Sequence, residues 1–157
     1  MRGRIVKGGL NFEGRRQRPL FVSKSAVPYE HDDQVSLFQW LAATARLQSD
    51  PDVREALEWV HSIPNGAHLS KSQALKLVAE GLRKGVLDLS SDEPRQGYHG
   101  LRIEMKRKGR KATPEQLRYM AYLERIGVRQ ELCYTWTAAA RVFVDYFSLT
   151  EYAPIPE

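Results

Sequence analysis

Between Gly100 and Arg107 the apolar side chains fall at every second position, Leu101, Ile103 and Met105 alternating with Arg102, Glu104 and Lys106. A period of two is the spacing of an extended strand with one buried face, and it puts the three charged residues together on the other face. Glu104 and Lys106 then stand about 7 Å apart along the strand. An acid and an amine on one side of a strand suit a metal-dependent phosphodiesterase, which needs an oxygen ligand for a hard cation and an ammonium beside the attacking water. A half-exposed strand carrying an ordinary ion pair has the same pattern, so these two residues alone do not decide between the readings.

The rest of the chain supplies the cover for that strand. Tyr29 to Leu47 has Leu37, Phe38, Leu41 and Ala45 at helical spacing, with Gln34 and Glu30 further back along the same face. Pro51 to Val60 reads as a second helix, capped by Asp50 with proline at its first position. His61 to Gly66 is a short extended piece ending in an Asn65-Gly66 turn. Ser70 to Leu82 is a helix opened by a Ser70/Gln73 capping box and stopped by Gly81 and Gly85. Val86 to Ser90 reads as a strand, close enough in sequence to the strand at 101–106 for the two to form a hairpin, which would set Asp88 across from the Glu104 region. Thr113, Pro114 and Gln116 open the next helix, which carries Leu117, Met120 and Leu123 inward and ends at Gly127. Arg129 to Thr135 is a strand, and Ala138 to Phe147 is a closing helix with Ala139, Val142, Phe143 and Tyr146 on one face. Strands interleave with helices throughout, so the expected fold is α/β, with a mixed central sheet of about four strands flanked by helices.

At 157 residues the chain is one domain long and can bury a self-sufficient core. Cys133 is the single cysteine, which excludes an internal disulfide and a cysteine-based zinc cluster. His31, His61, His68 and His99 form no H-x-x-x-H pair. No apolar run approaches the ~18 residues of a membrane span, and the N-terminus lacks the apolar core of a signal peptide, so a cytoplasmic protein is expected. Charge is unevenly placed. Residues 1–28 hold Arg2, Arg4, Lys7, Arg15, Arg16, Arg18 and Lys24 against Glu13, a net charge of +6 on a chain whose total is +5. A basic arm (1–28) on a near-neutral domain (29–150), followed by a short tail (151–157), points to an anionic partner, most commonly a phosphate backbone. A second basic cluster that includes Lys108, Arg110 and Lys111 follows the acid-bearing strand directly. Arg15, Arg16, Arg18, Lys108, Arg110 and Lys111 are the candidate DNA-binding side chains.

Three acids have a claim to one site: Glu30 on the first helix, Asp88 on one strand and Glu104 on its neighbour, with Lys106 beside them. Mg²⁺ or Mn²⁺ binds oxygen and keeps several waters, so Asp88, Glu104 and the backbone carbonyl of Met105 make a plausible open site. Lys106 would orient the water or meet the developing charge. Other chemistries lack their residues: there is no Gly-x-Gly-x-x-Gly or Walker loop, no Gly-x-Ser-x-Gly elbow, and Cys133 falls in an apolar strand that buries it.

The run Ser62-Ile63-Pro64-Asn65-Gly66, then Ala79-Glu80-Gly81 with Gly85-Val86-Leu87-Asp88, then Tyr98-His99-Gly100-Leu101-Arg102-Ile103-Glu104-Met105-Lys106, then Thr113-Pro114-Glu115-Gln116, resembles the virus-type replication-repair nuclease family, VRR-NUC. The first helix, with Glu30-His31-Asp32-Asp33-Gln34 and Trp40, is similar to that family's too, and the resemblance covers about residues 29–148. It implies a restriction-endonuclease-like fold of the PD-(D/E)XK class and magnesium- or manganese-dependent cleavage of DNA. On that resemblance Asp88 and Glu104 are metal ligands, Lys106 the catalytic lysine and Glu30 a helix-borne acid of the site. Gln116 matches the family's glutamine near the site, although its capping-box position gives it an equally good structural task. Asn65 also matches. Leu87 departs from the pattern, which usually has proline before the aspartate. Small stand-alone members of the family look like dimeric Holliday-junction resolvases, so a homodimer acting on branched DNA is implied, with a nuclease for flaps or duplex, or a non-catalytic DNA-binding module, as the alternatives.

Overall fold

The computed structural model describes residues 30–63 and 70–157. The elements run α1 (Glu30–Leu47), α2 (Pro51–Glu58), β1 (His61–Ser62), α3 (Lys71–Ala79), β2 (Leu89–Ser91), β3 (Leu101–Met105), α4 (Pro114–Arg125), β4 (Arg129–Cys133) and α5 (Trp136–Phe147). The four strands form one mixed sheet in the order β1-β2-β3-β4. β2 pairs with β1 and β3 antiparallel, whereas β3 and β4 are parallel. A parallel neighbour cannot be reached by a tight turn, and α4 is the crossover that connects the two.

The alternation along β3 sorts the molecule into two layers. Leu101, Ile103 and Met105 are buried with Leu89 and Cys133 against Leu37, Trp40 and Leu41 of α1 and Ala139, Ala140, Phe143 and Tyr146 of α5. On the opposite face a smaller cluster of Leu87, Leu123 and Val128, with Tyr119 and Met120 packed against it, seats α4. Leu87, which stands where the resemblance has proline, is thus a fully buried core residue.

Local signals place most helix starts. Asp50 caps α2 through the Asp52 N–H with proline in its first turn, and reciprocal capping boxes open α3 at Ser70/Gln73 and α4 at Thr113/Gln116. Two expectations are corrected. The strand expected at Val86–Ser90 begins only at Leu89, because Asp88 diverts the hairpin: its carboxylate, not a backbone carbonyl, accepts the Met105 N–H at 2.9 Å. Leu117, expected inward, is 56% exposed, and Gln116 takes the buried position instead with 8% exposure. Gln116, Met120 and Leu123 follow the i, i+4, i+7 rule, which leaves Leu117 about 100° off the buried stripe.

Residues 151–157, expected as a tail, have no helix or strand but lie along α1. The Trp40 indole N–H donates to the Ala153 carbonyl at 2.8 Å, the Ala153 N–H donates to Thr44 Oγ1 at 3.1 Å, and Gln48 Nε2 donates to the Glu151 carbonyl at 2.7 Å. The first two bonds pair the buried Trp40 indole and Thr44 hydroxyl, while Gln48 Nε2 also donates to the Thr44 carbonyl at 3.0 Å.

Candidate active site

The hairpin register carries two acids to one place. Leu89 pairs with Ile103, so the next step along the ladder sets Asp88 opposite Glu104. Glu104 stands on the α4 side of β3, is 1% exposed, and has its side chain turned to the first turn of α4. Its two oxygens differ sharply. Oε1 receives the Lys106 ammonium at 2.7 Å and a short hydrogen bond from the Gln116 amide. Oε2 is buried and has no hydrogen-bond partner. A buried carboxylate oxygen left without a donor is costly in a stable core, so such an atom calls for a ligand or a functional explanation.

Electrostatics agree with the geometry. Burial pushes the Glu104 carboxyl above its ordinary value; the Lys106 bond draws it back, and the neighbouring Asp88 charge pushes it up again. Lys106 lies one residue beyond β3 with its side chain 16% exposed, so its ammonium is held on Glu104 yet borders the solvent. Cys133 belongs to the opposite layer and is pushed up to about 12 by burial, which suits an inert core thiol.

The structure therefore brings together Asp88, Glu104, the Met105 backbone, Lys106 and Gln116. Glu30 is the first residue of α1, and its side chain lies outside the described residues. The start of that helix is tied to α5 by the Trp136 N–H, which donates to Asp33 Oδ1 at 3.1 Å. Lys108, Arg110 and Lys111 are exposed on the connection between β3 and α4, next to the site. Arg15, Arg16, Arg18 and Asn65 lie outside the described residues.

Among the described residues no three His, Cys, Asp or Glu side chains group as a metal cluster. Two carboxylates, Asp88 and Glu104, are what the site offers, and the orphaned Glu104 Oε2 is the atom that fits a cation. Mg²⁺ and Mn²⁺ sites built from one or two carboxylates, with water and substrate phosphate completing the shell, match such a donor set. Two residues acquire importance that the sequence reading did not assign. Thr113 holds the Gln116 side chain, and Gly85 lets the segment leading to Asp88 touch α4. An ideal Cβ on Gly85 would lie 2.6 Å from the Glu115 carbonyl carbon, and its φ is +84°. The Thr-x-x-Gln spacing was the available signal for the first; nothing local marks the second apart from the glycine itself.

No family model matches the sequence, and no curated protein matches it. A solved structure named "VRR_NUC domain protein" superposes with a TM-score of 0.63 at 25% identity, covering 83% of this chain and 98% of that one. This likeness supports an assignment to the VRR-NUC family. Coverage of nearly the whole neighbour, together with a mixed four-stranded sheet flanked by five helices among the described residues, makes this an α/β fold of the restriction-endonuclease-like class. In VRR-NUC terms the chain's acidic pair, lysine and glutamine all sit around the point where β2, β3 and the first turn of α4 meet. No helix among the described residues is long and apolar enough to cross a membrane.

Proposed function

We propose that this VRR-NUC protein is a metal-dependent endonuclease that hydrolyses phosphodiester bonds in DNA, with branched DNA such as a four-way junction as its preferred substrate. The observation that carries the reading is the buried Glu104 carboxylate, one oxygen saturated by Lys106 and Gln116 and the other without a partner, beside Asp88. Asp88, Glu104 and the Met105 carbonyl would hold Mg²⁺ or Mn²⁺. Bound there, the cation supplies Lewis-acid polarisation of the phosphate and charge neutralisation in the in-line displacement. Lys106 presents its ammonium at the solvent-facing rim of the site, where it orients the attacking water and meets charge developing on the phosphoryl oxygens. Water oxygen bonds to phosphorus as the bond to the 3′-oxygen breaks, leaving a 5′-phosphate and a 3′-hydroxyl. Glu30 contributes its carboxylate from the start of α1.

Lys108, Arg110 and Lys111 contact the phosphate backbone beside the scissile bond, and Arg15, Arg16 and Arg18 of the basic segment contact flanking duplex without reading sequence. Two symmetric nicks at a four-way junction require two sites related by a twofold axis, so the protein acts as a homodimer. Incubation with labelled junction, flap, duplex and single-stranded DNA, in Mg²⁺, Mn²⁺ or chelator, tests the reading. Junction cleavage that needs the cation is expected. Equal rates on linear duplex would replace the junction preference with a general nuclease, and binding without cleavage in every metal would leave a DNA-binding module on this fold. Removing residues 1–28 is expected to weaken binding and flatten its salt dependence.

A further inference from the structure

Gln116 has two hydrogen-bonding ends, and both are committed. Its Oε1 accepts the Thr113 N–H at 2.8 Å, while its own N–H donates to Thr113 Oγ1 at 3.2 Å. That reciprocal box decides which way the amide faces. With the carbonyl oxygen held by the helix cap, Nε2 is the end presented to Glu104 Oε1, and a flipped amide would set two acceptors against each other. The outcome is that Oε1 takes both available donors and Oε2 none.

The same turn of helix also meets the other acid-bearing segment. Gly85, three residues before Asp88, approaches the Glu115 backbone so closely that no side chain fits between them. The turn from Thr113 to Gln116 thus touches both acid-bearing segments, one at Gly85 and the other at Glu104. A control for this arrangement is built into the molecule: α3 opens with the same kind of box, the Ser70 N–H donating to Gln73 Oε1 at 3.0 Å and the Gln73 N–H to Ser70 Oγ at 3.3 Å. There both residues are exposed, and the box caps a helix and nothing more.

We infer that the α4 capping box is a positioning device for the cation site: Thr113 orients the Gln116 amide, and Gln116 holds Glu104 so that Oε2 remains directed at the cation. Neither Thr113 nor Gln116 touches the cation or the phosphate; both act through Glu104. The inference rests on the metal-dependent reading above.

The test is Mn²⁺ titration of the full chain without DNA, followed through the electron paramagnetic resonance of free Mn²⁺, with a thermal melt of each variant alongside. Gln116→Met, which can neither cap nor donate, is expected to weaken Mn²⁺ binding about tenfold, the lower end of what loss of an outer hydrogen-bond partner costs a metal site. Thr113→Ala is expected to lose less, because its backbone N–H still holds Oε1, and Thr113→Ser is expected to restore the wild-type affinity. Gln73→Met breaks the equivalent box on α3 and is expected to leave Mn²⁺ binding unchanged. Equal affinities for wild type and Gln116→Met would overturn the inference while leaving the proposed function standing. Absence of Mn²⁺ binding by the wild type would overturn both. Should Gln116→Met fail to fold, the Thr113 pair decides, and identical affinities for Thr113→Ala and Thr113→Ser would overturn the inference.

Discussion

Helices α3 and α4 start with the same four-residue grammar, a hydroxyl residue followed three positions later by glutamine, and each box closes both of its hydrogen bonds. Their surroundings differ. The α3 box lies in solvent, where the spare amide N–H groups of Gln73 are hydrated at no cost. In the α4 box Thr113 is exposed but Gln116 is buried, and its spare amide meets the buried Glu104 carboxylate. A motif worth about 1 kcal/mol of helix stability in the first place therefore sets an acid's orientation in the second. The lesson is that a polar cap acquires a functional task when its unused hydrogen-bonding capacity is buried, because a desolvated donor must find an acceptor.

The largest effect is expected from the acid that Gln116 meets. Glu104→Gln removes the charge on which Gln116 and Lys106 converge, and cleavage is expected to fall by about 10³-fold, the scale of losing a principal electrostatic group of an active site. Stability to urea is expected to hold or rise, since an incompletely satisfied buried charge has been removed and Lys106 can reach water. A loss above about 2 kcal/mol would instead make Glu104 and Lys106 a structural ion pair.

Glycines beside the two helices offer the next contrast. Gly85→Ala forces a Cβ into the Glu115 backbone at a left-handed φ, whereas Gly81→Ala, just beyond α3, meets nothing within 4 Å and suffers only its φ of +110°. Destabilisation of about 2–3 kcal/mol is expected for Gly85→Ala and about 1 kcal/mol for Gly81→Ala, and the former alone should slow cleavage. Similar urea midpoints for the two variants would show that the Gly85 contact is not what holds α4 to the Asp88 segment.

The smallest effect separates the caps themselves. Thr113→Ala is expected to cost about 1–2 kcal/mol and Ser70→Ala about 0.5–1 kcal/mol, because the first frays a helix packed on the sheet and the second a helix end exposed to water. Amide hydrogen exchange in the first turns of α3 and α4 measures both, and a larger loss of protection at α3 would reverse the ranking.

Much of this architecture is legible in the chain because it is written locally. The alternation of Leu101, Ile103 and Met105 marks β3 and its buried face, and Asp50, Ser70 and Thr113 mark three helix starts through side-chain bonds that span no more than three residues. The closeness of β2 and β3 in the chain marks a hairpin that brings Asp88 to the Glu104 region, and the structure gives the register that sets the two opposite each other. What the chain does not display locally depends on distant partners. Leu117 has every local reason to face inward, yet the partner across the sheet face is Glu104, and a buried acid selects an amide over a leucine. Residues 151–157 contain no periodic signal, and their place on α1 depends on Trp40, Thr44 and Gln48, more than 100 residues away.

Most elements, the caps of α2, α3 and α4 and the face on which Glu104 and Lys106 stand follow from the chain alone, through backbone periodicity and short-range hydrogen bonding. Which of the two equivalent capping boxes the site enlists is a matter of tertiary packing. That choice depends on where α4 seats on the sheet, through Leu87, Leu123 and Val128 and the bare approach at Gly85, and burial there turns a spare amide into a donor that Glu104 has to accept.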